Sequence, residues 1–225
     1  MNKIYIFDVD GTLTPSRRSM THNFEMFFYR WADENAFYLV SGSDLEKIKE
    51  QVPKYILDLA EGVFTCGGNK FYINDNLIYE NNFEPPETLI NYLEEMVKIS
   101  SYPVKAGTHI ENRGAMLNFS MIGRDCSLQQ RKDYFEYDKL TGERENIAKT
   151  IKLSWKDLDA VIGGQISIDI APKGNDKSQV IKEVKNNRNI ADAKYIFIGD
   201  RTMEGGNDYP LAKVMNEMDN CEVFQ

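Results

Sequence analysis

Short apolar runs alternate with amphipathic segments in the first third of the chain and again near its end. The apolar runs are rich in β-branched and aromatic residues, as buried strands are, and lie at 3–7, 37–40, 62–65 and 195–198. Segments with apolar side chains at helical spacing lie at 21–34, from Leu45 onward and from about Asp176 onward. Strands that alternate with helices predict an α/β fold with a parallel sheet covered by helices.

A different pattern interrupts this alternation after a hairpin predicted over 70–79. Pro85 and Pro86 mark the boundary. Beyond them, helices are predicted at 87–99, 127–139 and 143–152, strands between 104 and 122, and a last helix at 209–218. A strand at 164–170 alternates isoleucines with polar residues, which is typical of an antiparallel sheet with one polar face. We therefore predict an inserted α+β domain at 79–173 and an α/β core formed by 1–78 and 174–225.

The composition is that of a globular protein, with 225 residues, 42% hydrophobic and 28% charged. No run approaches the roughly 20 apolar residues of a membrane helix, no signal-peptide pattern opens the chain, and the cysteines lack metal-binding spacing. These features predict a cytoplasmic protein with reduced thiols and no membrane partner. The net charge of −8 argues against a nucleic-acid partner, and it means that an anionic substrate needs a local cationic cluster.

Polar side chains follow three of the predicted strands. They are Asp8 and Asp10 after the first, Ser41 and Ser43 after the second, and Asp200, Asn207 and Asp208 after the last. The carboxyl ends of parallel strands share one edge of a sheet, where ligands bind. An Asp-x-Asp-Gly stretch alone is usually a solvated turn. Three such strand ends, together with Lys177 at the start of a helix, favour a common site instead.

The residue types at this edge suit phosphoryl transfer, which needs a nucleophile, a metal ion and hydrogen-bond donors around the phosphate. We predict that Asp8 attacks phosphorus and that Asp10 acts as the general acid and base. Ser41 or Ser43, together with Lys177, would donate hydrogen bonds to the phosphoryl group. Oxygen ligands of this kind suit Mg²⁺, and the candidate ligands are Asp8, Asp10, Asp200, Asn207 and Asp208.

Four of these segments resemble the motifs of the haloacid dehalogenase (HAD) superfamily. They are 8–12, the serine after the second strand, Lys177, and 199–200 with 206–208. Longer stretches resemble the eukaryotic-type phosphomannomutases; they lie at 7–15, 42–47, 116–118, 122–124, 163–167 and 199–208. The resemblance spans nearly the whole chain, including the inserted domain.

This resemblance implies a HAD-like Rossmannoid core with an α+β cap of type C2 that binds the substrate. It implies a Mg²⁺-dependent isomerase of GDP-mannose biosynthesis that interconverts mannose 6-phosphate and mannose 1-phosphate, with glucose phosphates as further candidates. The reaction would run through an aspartyl phosphate on Asp8 and a hexose 1,6-bisphosphate activator, in a homodimer formed through the cap.

The resemblance also implies which cap residues bind the sugar phosphate. Arg113, Arg124 and Arg131 would bind the distal phosphate, and Ser167 and Asp169 the sugar hydroxyls. An acidic protein needs such a cationic cluster, and the planar fork of arginine suits a phosphate. Without the resemblance, these arginines could equally form a solvated surface, and Ser167 and Asp169 could lie on the solvent-exposed face of a sheet.

Two other functions remain open at this point. A sugar phosphatase uses the same chemistry with water as the second acceptor, and a degenerate relative would only bind a partner. The chain also departs from the family pattern at 65–69, at Gly114 and Ala115, at Asn175 and at Arg201. None of these departures removes a predicted catalytic residue.

Overall fold

The computed structural model describes residues 2–16, 18–188 and 192–225. Its strands are β1 (Lys3–Asp8), β2 (Ala36–Val40), β3 (Gly62–Thr65), β4 (Lys70–Ile73), β5 (Asn76–Glu80), β6 (Ile110–Asn112), β7 (Leu117–Ser120), β8 (Leu158–Gly163), β9 (Ser167–Pro172), β10 (Lys194–Ile198) and β11 (Cys221–Phe224). Its α-helices are α1 (His22–Glu34), α2 (Leu45–Gln51), α3 (Lys54–Leu57), α4 (Glu87–Ile99), α5 (Leu128–Thr141), α6 (Glu143–Ser154), α7 (Gln179–Arg188) and α8 (Tyr209–Asn216).

The chain divides into two compact units. One contains the residues up to Asn81 together with Asn175–Gln225, and the other contains Asn82–Gly174. The assignment of these units to catalysis and to substrate binding stays a prediction. Among the described residues, no helix has the length and apolar character needed to cross a membrane.

The first unit is built on a seven-stranded sheet in the order β11-β10-β1-β2-β3-β4-β5. The strands from β11 to β3 run parallel, and the hairpin β4–β5 is antiparallel. Alternate residues of β1 point to opposite faces, as strand geometry requires. Ile4 and Ile6 pack with α7 and α8, whereas Tyr5 and Phe7 pack with the aromatic side of α1. The predicted α/β fold with a mainly parallel sheet is confirmed.

The second unit is built on a four-stranded sheet in the order β6-β7-β9-β8. All three of its strand pairs are antiparallel. Its apolar side, which includes Phe119, Ile168 and Ile170, joins a buried cluster with Leu89 and Leu93 of α4. The antiparallel module predicted from the alternation at 164–170 is therefore present.

Several element boundaries differ from the sequence prediction. The strand predicted at 164–170 begins at Ser167, because 164–166 form the turn from β8. Residues 104–109 lie outside the strands. The short elements α3 and β11 were not predicted. Both have only four residues, which is too few for a hydrophobic period to be visible.

Candidate active site

The site in the first unit is assembled from the carboxyl ends of three neighbouring strands. Strand β1 pairs in parallel with β2 on one side and with β10 on the other. In this register Asp8 lies opposite Val40, and Phe7 lies opposite Ile198. The residues that directly follow β2 and β10 are therefore brought beside the end of β1 at one edge of the sheet.

Three carboxylates and one ammonium group meet at this edge. One oxygen from each of Asp8, Asp200 and Asp208 lies within 4.8 Å of the others. The Lys177 Nζ donates to Asp8 Oδ1 at 2.6 Å and to Asp208 Oδ1 at 2.5 Å. Lys177, Asp8 and Asp208 have exposures of 3%, 2% and 0%, whereas Asp200 is exposed. Mutual repulsion of the carboxylates is thus only partly offset by the lysine.

The burial of these charges shifts their pKa values. Loss of water around Asp8 raises its pKa to about 8, although the Lys177 charge acts in the opposite direction. Desolvation, and then the charge of Asp208, also raise the pKa of Asp200. Burial alone would lower the pKa of Lys177, but the charges of Asp208 and Asp8 outweigh it and raise that pKa. Lys177 is therefore held as a cation, but this one cation does not offset the excess negative charge that ionisation of all three acids would create.

The donor set fits a divalent cation. Besides the three carboxylates, the side-chain oxygen Oδ1 of Asn207 is buried and accepts no hydrogen bond within the described part of the chain. A buried acceptor without a partner costs about 1–3 kcal/mol, so it calls for an explanation. A hard cation such as Mg²⁺ prefers oxygen ligands and would offset the excess negative charge. The Asp10 carboxylate does not belong to the group of three carboxylates.

Two glycines allow the backbone to approach these acids closely. Gly11 has φ of +97°, and a Cβ there would lie 2.4 Å from Asp200 Oδ2. A Cβ on Gly199 would lie 2.7 Å from Asp208 Oδ2. A side chain at either position would displace a carboxylate of the cluster.

The carboxylate of Asp10 is held by a second set of contacts. Ser41 Oγ and Ser43 Oγ donate to Asp10 Oδ2 at 3.5 and 3.4 Å, and Gln51 Nε2 donates to Asp10 Oδ1 at 2.9 Å. Ser41 is buried and also accepts the backbone N–H of Ser43 at 3.0 Å, whereas Ser43 is half-buried. Sequence reasoning did not find Gln51, because a glutamine at the end of a helix carries no motif.

The polar side chains predicted to bind the sugar hydroxyls lie on one side of the sheet in the second unit. Asp169 lies opposite Asn118 in the register, and Asn118 Nδ2 donates to Asp169 Oδ1 at 2.6 Å. Ser167 lies opposite Ser120, and its Oγ donates to the carbonyl oxygen of Gly163 at 3.0 Å. Ser167 is buried and Asp169 is half-buried, so this side of the sheet is not the freely solvated face of the alternative interpretation.

Two of the three predicted phosphate-binding arginines meet at one carboxylate. Arg113 Nη2 lies 2.5 Å from Glu111 Oε2, and Arg124 Nε lies 3.7 Å from the same oxygen. Glu111 lies opposite Asn118 in the β6–β7 register. Arg131 is buried on α5. Arg113 and Arg124 are thus gathered beside the strand that also carries Asn118.

Comparisons with known proteins agree in family and in fold. A family model described as "Eukaryotic phosphomannomutase" matches residues 24–219. A phosphomannomutase from Dendrobium officinale is 37% identical over 216 residues, which cover 92% of this chain and 84% of that protein. A phosphomannomutase from Encephalitozoon cuniculi (strain GB-M1) is 37% identical over 218 residues, covering 92% of this chain and 83% of that protein.

Solved structures are similar in fold at low sequence identity. The C-terminal domain of a trehalose-6-phosphate phosphatase from C. albicans has a TM-score of 0.65 and 14% identity, and the match covers 100% of this chain and 79% of that one. A sugar phosphatase described as HAD subclass IIB has a TM-score of 0.59 and 14% identity, with coverage of 99% and 94%. These neighbours place the chain in the HAD fold.

Proposed function

Because the chain belongs to the eukaryotic phosphomannomutase family of the HAD superfamily, we propose that it interconverts mannose 6-phosphate and mannose 1-phosphate, with glucose phosphates as further substrates. One observation carries the chemistry: a buried Asp8 carboxylate is held by Lys177 beside Asp200 and Asp208 at the carboxyl edge of a parallel sheet. A nucleophilic carboxylate with a fixed cation beside it meets the first requirement of phosphoryl transfer.

The first step takes a phosphoryl group from a hexose 1,6-bisphosphate. Asp8 Oδ attacks phosphorus, the P–O bond to the sugar breaks, and an aspartyl phosphate forms. Asp10 gives its proton to the departing sugar oxygen and so becomes the base of the next step. A sugar monophosphate in the opposite orientation then loses its hydroxyl proton to Asp10 and accepts the phosphoryl group from Asp8. Two transfers regenerate the bisphosphate and leave the isomerised product.

The hydrogen bonds around Asp10 suit this role. Gln51 fixes one carboxylate oxygen of Asp10, and the hydroxyls of Ser41 and Ser43 lie on the other side. The two serine contacts to Asp10 are long, so on substrate binding either hydroxyl would turn its hydrogen from Asp10 to a phosphoryl oxygen, to which Lys177 would also donate. Thr12 Oγ1 donates to Asp8 Oδ2 at 3.3 Å and helps to orient the nucleophile.

A Mg²⁺ ion would complete the site. We assign it to the oxygens of Asp8, Asp200, Asn207 and Asp208, and the orphaned Asn207 oxygen and the excess carboxylate charge support this assignment. Asp10 also remains a candidate ligand from the sequence. Bound there, Mg²⁺ supplies positive charge that keeps Asp8 ionised and neutralises phosphate charge.

The second unit supplies the substrate contacts in this proposal. Arg113, Arg124 and Arg131 bind the distal phosphate, and Ser167 and Asp169 bind sugar hydroxyls. The meeting of Arg113 and Arg124 at Glu111 supports a cationic cluster in an acidic protein. We further propose that the protein is cytoplasmic and forms a homodimer through this unit. Light scattering on the purified protein would test whether it is a dimer.

A coupled assay tests the proposal. Mannose 1-phosphate with Mg²⁺ and a trace of glucose 1,6-bisphosphate should yield mannose 6-phosphate faster than free phosphate appears. Asp8→Asn should abolish this turnover and leave the Kd for mannose 1-phosphate within about threefold. Phosphate release that outpaces isomerisation would identify a sugar phosphatase instead, and absence of both products would refute the proposal.

A further inference from the structure

Arg144 is a buried residue of the second unit that the proposed reaction does not use. It lies in the first turn of α6 with an exposure of 2%. Its Nε donates to Asp138 Oδ2 at 2.8 Å, and its backbone N–H donates to Asp138 Oδ1 at 2.8 Å. Gly142 precedes α6 and has no side chain to cap that helix. Asp138 therefore caps α6 and also neutralises the buried guanidinium group.

The far end of the Arg144 side chain faces the turn between β8 and β9. Its Nη1 lies 3.1 Å from the carbonyl oxygen of Gly164, 3.3 Å from that of Ser167 and 3.4 Å from that of Gly163. These carbonyls stand on both sides of the turn. A rigid planar group that is anchored at Asp138 thus holds the end of β8 and the start of β9 together.

One of those carbonyls also sets the orientation of a predicted sugar contact. Ser167 Oγ donates its hydrogen to Gly163 O at 3.0 Å. A serine hydroxyl has a single hydrogen, so in this arrangement Ser167 presents only lone pairs to a ligand. It can accept a hydrogen bond from a sugar hydroxyl, but it cannot donate one to a phosphate oxygen.

Asp169 also offers only hydrogen-bond acceptors to a ligand, and it lies close to the Ser167 hydroxyl. An ionised carboxylate only accepts hydrogen bonds. A Cβ at position 163 would lie 2.8 Å from Asp169 Oδ2 and 3.2 Å from Ser167 Oγ, so the glycine leaves room for both side chains against the backbone. The turn held by Arg144 therefore carries two neighbouring acceptors.

We propose that Arg144 is a positioning residue of the sugar site, which holds the carbonyl of Gly163 so that Ser167 acts as a hydrogen-bond acceptor and selects sugar hydroxyls over phosphate oxygens. The inference rests on the proposed function, because that function assigns Ser167 and Asp169 to the sugar. It adds a residue that lies outside the predicted site and acts through the backbone of the turn.

The test begins with Arg144→Lys, which keeps the positive charge and removes the planar fork. A single ammonium group cannot hold both Asp138 and the turn in the same way. By calorimetric titration, the Kd for mannose 1-phosphate should rise at least tenfold, and in the coupled assay KM should rise similarly while kcat stays within threefold. Lys149→Met, an exposed change on the same helix, is the matched control and should alter neither.

A double-mutant cycle with Ser167→Ala separates positioning from a general loss of structure. If Arg144 acts through Ser167, Arg144→Lys should raise the Kd less than threefold once the hydroxyl is absent. An equal, at least tenfold rise in both backgrounds would overturn the proposal, and so would an unchanged Kd in the single variant. If Arg144→Lys does not fold by circular dichroism, Asp138→Asn replaces it in the same cycle.

The cycle measures binding, so it also distinguishes this inference from the proposed function. A protein that binds mannose 1-phosphate without isomerising it would refute the mutase and leave the coupling between Arg144 and Ser167 measurable. A protein that does not bind mannose 1-phosphate at all would overturn both.

Discussion

Replacement of Lys177 by methionine should destabilise the first unit strongly in the absence of metal. The lysine lies between Asp8 and Asp208 at 2.6 and 2.5 Å, and all three groups are buried. An exposed ion pair contributes about 0–1 kcal/mol, but removal of one partner from a buried pair costs about 3–5 kcal/mol because the other charge stays unpaired. For a chain of this size, 1 kcal/mol corresponds to about 2–4 °C, so we expect Tm to fall by roughly 6–20 °C.

The loss should depend on pH. Burial raises the folded-state pKa of Asp8 from its ordinary value of 3.8 to about 8. At pH 5.5 Asp8 is mostly protonated, so Lys177 has one charged partner fewer there than at pH 8. With EDTA present, the fall in Tm caused by Lys177→Met should therefore be larger at pH 8 than at pH 5.5. Scanning calorimetry of Lys177→Met would measure both values.

Lys182→Met is the matched control, because Lys182 is exposed on α7, just beyond Lys177 in the chain. It should change Tm by less than about 2 °C, in line with the small effect of a surface substitution. Equal losses for the two variants in EDTA at pH 8 would refute the electrostatic account of the site.

Two further predictions concern the metal and the general acid. Because the pKa of Asp8 is raised in the folded state, the metal-free protein should lose stability as pH rises from about 4 to 8. The increase in Tm caused by Mg²⁺ should grow over the same range. Differential scanning fluorimetry at pH 5.5 and 8 measures this increase, and an equal increase at both pH values would contradict the prediction. Gln51→Leu removes the donor to Asp10 Oδ1 and with it a hydrogen bond to a charged group, which is worth about 1.5–3 kcal/mol. We therefore expect kcat to fall at least tenfold while KM stays within threefold. An unchanged kcat in the coupled assay would contradict the positioning role of Gln51.

The core of the fold was predictable because its signals are local. Two apolar runs of the sequence each end in acidic residues. The first, in β1, leads into Asp8 and Asp10, and the second, in β10, is followed by Asp200. The rule that parallel strands share a carboxyl edge then places Asp8 and Asp200 together before any coordinates are known. The structure finds their oxygens within 4.8 Å of one another.

The supporting residues were not predictable, because their roles depend on contacts between distant segments. Gln51 reaches Asp10 across 41 positions, and Arg144 reaches Gly164 across 20. In the sequence, one is a glutamine at a helix end. The other stands between Glu143 and Glu145 in a polar segment, where an exposed arginine would be the ordinary interpretation. Such residues carry no spacing pattern, so only packing reveals them.

The crowding of acids in this site also means that Asp200 should favour Mg²⁺ binding but lower the stability of the metal-free protein. Desolvation and the charge of Asp208 raise the pKa of Asp200, so the ionised form is disfavoured in the folded, metal-free protein. Asp200→Asn should therefore raise Tm in EDTA at pH 8, by no more than about 2–4 °C, because Asp200 is exposed and solvent screens its charge. The same variant should lose most of the Tm increase caused by Mg²⁺, whereas the exposed control Asp219→Asn should keep it. A fall in Tm in EDTA would show that Asp200 stabilises the fold rather than the bound cation.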